Sequence, residues 1–203
     1  MAGMNVRARA GWGRGAGVAL ALALCGTAGA APAQAASPRP LALTLQGLPL
    51  VRQTYNACGP ASVAMALGYY GVEVPLEGVS RATRATPTSY MRSEAIAPFV
   101  RRYGLDATRV RHANINTVRW LLAAGYPVIV LQWLRQPGQI PHFRVVRAFD
   151  DGAGRFVLND PLLGAVQVSY ADFTTLWSLY GQELIVVHPP TDGARVARLA
   201  GAT

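Results

Sequence analysis

The chain has 203 residues, 51% of them hydrophobic, and a formal net charge of +9 that comes from 19 arginines with no lysine. Three arginines belong to an N-terminal export segment, and the sixteen beyond it, set against ten acids, are scattered without interleaved aromatics, which argues against a nucleic-acid platform. With two cysteines and no Cys-x-x-Cys or His-x-x-x-His spacing, neither a disulfide framework nor a metal site is expected.

Residues 1–35 read as a secretory signal. Arg7, Arg9 and Arg14 supply the basic start, Val18 to Leu24 a short apolar segment, and Ala33-Gln34-Ala35 small residues at cleavage spacing. The apolar segment falls short of the roughly 18 residues of a membrane-spanning helix, so cleavage is expected rather than a retained anchor. Cys25 ends that segment, but Leu24 stands where lipidation of a cysteine wants a small residue. Removal of the signal leaves Cys58 as the lone thiol and the chain near +6. Residues 36–40 read as a linker, 41–187 as one domain, and 188–203, opening just before Pro189-Pro190, as a flexible tail.

Within the domain, Gly59 to Tyr70 carries Val63, Leu67 and Tyr70 at helical spacing between slim alanines and glycines, which predicts a buried helix with Cys58 at its amino end. Pro60 is tolerated there because the first turn has no intrahelical acceptor for its missing N–H. A short helix over Leu76–Thr83, a longer one from Ser89 to Tyr103 kinked or split by Pro98, and a third from Asn116 to Ala124 are expected to follow. The pattern then changes to strands at Val128–Trp133, His142–Phe149, Arg155–Leu158, Val166–Ser169 and Leu184–Val187, with a late helix over Tyr170–Tyr180 and an edge strand over Asp106–Val110. Helices first and strands later indicate an α+β domain in which the helix behind Cys58 packs on a C-terminal antiparallel sheet.

A thiol at a helix start is a candidate nucleophile, since the unpaired N–H groups and partial positive charge there favour thiolate. It needs a base, a group to orient that base, and donors for an oxyanion. Of the three histidines, His188 lies in the tail and His112 in an arginine-rich turn, whereas His142 opens a strand after a Pro- and Gly-containing loop. Asp160 ends the next strand, and a hairpin centred near residue 151 returns it beside His142. Asn159 is the competing orienting group, and strand alternation lets only one of the two point at the ring. Gln53, five residues before Cys58, is a candidate oxyanion donor alongside the Cys58 backbone N–H.

Four features together, Gln53 before Cys58-Gly59-Pro60-Ala61-Ser62, the following helix, His142-Phe143 opening a strand with Val145-Val146, and Asn159-Asp160-Pro161 with Gly164, resemble the papain-like cysteine peptidases related to double-glycine leader peptidases, especially their stand-alone exported members. The resemblance spans about Leu50 to Val187 and implies a papain-like fold, a triad of Cys58, His142 and Asp160, and a Gln53-assisted oxyanion hole. Arg144 departs from the apolar residue usual at that place and is expected to alter the local surface without touching the triad. The expected activity is peptide-bond hydrolysis by an exported, periplasmic or secreted monomer acting on a peptide or protein, with no cofactor and no metal, no nucleic acid, and no stable membrane insertion once the signal is cut. A non-catalytic peptide-binding module on the same fold, or acyl transfer from the same acyl-enzyme, are the alternatives.

Overall fold

Pro60 in the first turn and the run of small residues behind it shape the helix that carries Cys58. The computed structural model describes residues 40–201 and places α1 at Cys58–Tyr69, with every residue from Cys58 to Leu67 buried. A helix apolar on all sides has to lie inside the molecule. Gly59 is where a neighbour comes closest to it: a Cβ there would stand 2.6 Å from Cε and 2.9 Å from Cβ of Met91.

In chain order the elements are β1 (Ala42–Thr44), α1, α2 (Leu76–Thr83), α3 (Ile96–Val100), β2 (Asp106–Val110), α4 (Ile115–Ala123), β3 (Val128–Trp133), β4 (Pro141–Asp150), β5 (Arg155–Asp160), β6 (Gly164–Ser169), α5 (Tyr170–Leu176), β7 (Leu184–His188) and α6 (Gly193–Gly201). The strands lie in the order β2-β7-β3-β4-β5-β6, every pairing is antiparallel, and β1 pairs with the far half of β4. This is the expected α+β architecture, with α1 packed on an antiparallel sheet.

Alternation along the strands divides the core in two. Ile129 and Leu131 of β3, Phe143 and Val145 of β4, and Ile185 and Val187 of β7 face α1, α2 and α3. Val128, Val130, Val146, Leu184 and Val186 face the opposite cluster, built with Val118 and Leu121 of α4, Phe173 of α5 and Val196 of α6. Both faces are covered, which explains why β3 and β7 read as nearly continuous apolar runs.

Local departures have local causes. The predicted helix from Ser89 is broken into a 3-10 turn at Ser93–Ala95, α3, and a second 3-10 turn at Arg101–Tyr103, and Pro98 falls within the short α3. α4 starts one residue before the predicted Asn116 because Asn114 caps it: its side chain accepts from Thr117 N, and Thr117 Oγ1 accepts from Asn114 N. The signal reading over residues 1–35, and the linker except Pro40, lie outside the described residues.

The flexible-tail reading of residues 188–203 is corrected over the described part. His188 is the last residue of β7, 2% exposed, with Nε2 2.9 Å from Thr108 Oγ1. Pro190–Asp192 form a 3-10 turn, and α6 follows, burying Val196 completely and packing Leu199 against the α4 side of the core. Tyr126 OH donates to Asp192 Oδ2 at 2.7 Å. The physical reason is a short amphipathic pattern, Val196 and Leu199 at i and i+3, each directly preceded by an arginine (Arg195 and Arg198), hidden behind a Pro-Pro pair that starts a helical turn rather than ending the fold.

Candidate active site

The loop entering α1 is tied to the end of β5. Asn159 Nδ2 donates to Pro49 O at 2.9 Å, Arg52 Nη1 to Leu162 O at 2.8 Å, and Gln53 N to Pro161 O at 3.0 Å. The chain then turns through Asn56, whose φ of 53° is one of the few positive values a non-glycine residue tolerates and whose Nδ2 donates to Thr88 O. Cys58 follows as the first residue of α1, and no side chain caps that helix start. The N–H groups of its first turn therefore keep their positive end for another acceptor.

His142, the second residue of β4, is 2% exposed, and its Nε2 lies 2.9 Å from Asp160 Oδ1. The strand register is Val145↔Asn159, so continuing it by one pair puts Asp160 across from Arg144, not His142. His142 and Arg144 share one face of β4, and the imidazole reaches Asp160 on the diagonal. Asn159 points elsewhere, to Pro49, and leaves Asp160 as the group on the ring.

Asp160 is fully buried and its oxygens are saturated. Oδ1 also accepts from Leu162 N at 2.7 Å and Leu163 N at 2.9 Å, while Oδ2 accepts from Arg144 Nε at 2.6 Å. Arg144 in turn donates to Gln132 Oε1 at 3.1 Å, Trp133 O at 3.3 Å and Leu134 O at 2.6 Å. The expectation that Arg144 would leave this group untouched is therefore wrong. It is 2% exposed and forms an ion pair with the carboxylate, because alternation turns it to the same buried face as His142. That same-face spacing was the sequence signal that could have found it.

Burial pushes the Asp160 carboxyl upward, but the His142 and Arg144 partners and the Leu163 N–H outweigh burial and hold it well below the usual carboxylate range. For His142, burial acts to lower the imidazole, yet the Asp160 hydrogen bond and then the Cys58 side chain overcome it, and the ring binds its proton more tightly than a free histidine. Nε2 faces Asp160, so Nδ1 is the nitrogen left to the Cys58 sulfur. The His142 ring is thus hydrogen-bonded to Asp160 and acted on by the Cys58 side chain.

Cys58 opens onto a cleft of about 320 Å³ whose walls include Tyr90, Met91, Leu131, Phe143 and Tyr180. Its charged end is a knot in which Glu183, 2% exposed, accepts from Ser93 Oγ and pairs with Arg109 at 3.6 Å and Arg111 at 3.4 Å. Gln53 is half-buried, and its buried side-chain oxygen Oε1 has no hydrogen-bond partner among the described residues. Among those residues no three His, Cys, Asp or Glu side chains gather as metal ligands.

Residues 45–185 match the family described as Peptidase_C39 like. A double-glycine motif protease from an AMS/PCAT transporter, solved with its leader peptide, is 26% identical with a TM-score of 0.54 over 70% of this chain and 91% of that one. The peptidase domain of Streptococcus ComA has a TM-score of 0.59 at 20% identity, over 70% of this chain and 98% of that one. A C39-like peptidase from Bacillus anthracis has a TM-score of 0.59 at 17% identity, over 72% and 96%. These last two speak for the fold alone. No curated protein matches the chain.

Proposed function

The chain belongs to the Peptidase_C39-like family of cysteine peptidases, and from that membership we propose that it is an exported peptidase that cleaves peptide bonds with Cys58, His142 and Asp160. The single observation that carries the assignment of roles is the His142 ring, held at Nε2 by Asp160 and influenced from its other side by Cys58 at the head of α1. In the proposed reaction the Cys58 proton passes to His142 as sulfur attacks the substrate carbonyl. The C–N bond then breaks as the imidazolium protonates the leaving amine, giving an acyl-enzyme and a free amino terminus. Water, deprotonated by the now neutral His142, adds to the thioester, and the thiol leaves with the returned proton.

Gln53 and the uncapped start of α1 would bind the oxyanion. Gln53 lies five residues before Cys58 in a loop lashed to the Asp160 loop through its own N–H and Pro161 O, which supports that role. Gln53→Ala is expected to lower kcat by about a hundredfold to a thousandfold with little change in KM, since an oxyanion donor acts in the transition state. The peptide held by the double-glycine relative supports a peptide in the Cys58 cleft. Export rests on the signal pattern of residues 1–35. A cleavage profile over a peptide library, read by mass spectrometry for new amino termini, tests the proposal; no cleavage of any peptide by the wild-type protein would defeat it.

A further inference from the structure

Arg144 is, among the described residues, the one arginine that is buried, and its charge sits against the carboxylate behind the imidazole. Orientation alone does not require it. Asp160 Oδ1 is already fixed by the Leu162 and Leu163 N–H groups, which would keep the carboxylate aimed at Nε2 in the absence of a guanidinium. What Arg144 adds is a compensating charge, delivered in a fixed geometry through the carbonyls of Trp133 and Leu134 and the amide of Gln132.

We infer that Arg144 is a positioning residue that acts through Asp160, offsetting the carboxylate charge so that the imidazole is oriented without its protonated form being over-stabilised. The inference rests on the peptidase reading and deepens it. A bare buried carboxylate 2.9 Å from Nε2 holds a proton on the ring strongly. The same ring has to surrender that proton to the leaving amine, and a countercharge on the far oxygen of Asp160 moderates the hold.

Few other charges bear on the ring among the described residues. Cys58 faces it from α1 and Asp160 from β5, while β3 presents the uncharged Gln132 directly opposite His142. Arg52, on the loop before α1, is engaged by Leu162 O.

The test is the NMR titration of the His142 imidazole, run beside the pH profile of kcat/KM. Arg144→Met is expected to raise the pH at which His142 loses its proton by about one unit. The alkaline limb of kcat/KM should move the same way, and kcat should fall about tenfold. Arg144→Lys keeps the charge and should return the limb to its wild-type position. Should the unpaired carboxylate keep Arg144→Met from folding, the comparison moves to Arg144→Gln, which removes the charge and keeps an N–H donor for Asp160 Oδ2. There too His142 should titrate about one unit above wild type. A midpoint equal to wild type in the folded neutral variant would overturn the inference. A wild-type protein that cleaves no peptide would instead defeat the peptidase reading, and the titration comparison would still stand on its own.

Discussion

Cys58→Ala is expected to abolish peptide hydrolysis, with kcat falling by about 10⁴-fold or more, because no other group can form the acyl intermediate. Cys58 is the only cysteine beyond residue 25, so alkylation of the protein cut after Ala35 should vanish with it. The fold should survive. Cys58 is 4% exposed at the first position of α1, where alanine is a strong helix former and loses only the sulfur contacts with the cleft wall. Loss of activity with an unchanged thermal melt therefore isolates chemistry from folding. Undiminished hydrolysis by the variant would end the proposal.

The second large effect is expected at Asp160. Asp160→Asn should slow hydrolysis by about 10³- to 10⁴-fold, since an amide cannot stabilise the imidazolium and can present its N–H₂ to Nε2, enforcing the wrong tautomer. Here the variant also damages the fold. It leaves the Arg144 guanidinium buried with only carbonyls and an amide for company, and breaking a buried pair costs about 3–5 kcal/mol. The pH dependence follows from the sign of the shift. The folded carboxyl lies below its unfolded value of about 3.9, so its stabilisation is present above that pH and is lost as the pH falls toward the folded value. Urea melts at pH 7 and pH 3 should therefore show a wide gap between wild type and variant at the higher pH and a narrower one at the lower. A constant gap would contradict the coupling.

Much of this was legible in the chain. Pro60 and the small-residue run placed α1, and the apolar runs of β3 and β7 announced strands covered on both faces. The meeting of His142 with Asp160 followed from a hairpin turn, but the register did not. With the four-residue turn Asp151–Gly154 and the register shift between Val146 and Ala148, the residue across from Asp160 is Arg144, two residues along β4 from His142. A bulge has no dependable signature in a single sequence, so the exact partner of Asp160 was hidden, although the i, i+2 spacing of Arg144 from His142 already put the two on one face. The α6 segment was missed for a different reason: nine residues with two apolar anchors carry little helical signal until Val118, Leu121 and Leu122 offer a surface to cover.

The family relation explains the scaffold, while the ion pair behind the imidazole is read from this chain's own residues. In this chain the walls around Cys58 combine aromatic side chains with the Glu183, Arg109 and Arg111 knot, and a cleavage profile will report on that combination directly.

The most direct measurement is the rate at which iodoacetamide labels Cys58 at neutral pH in the wild-type protein and in His142→Ala. If imidazole and sulfur act as one unit, the loss of the ring should slow labelling by about tenfold or more, with the fold intact by circular dichroism. Equal rates in the two proteins would show a thiol that does not sense His142 and would contradict the account.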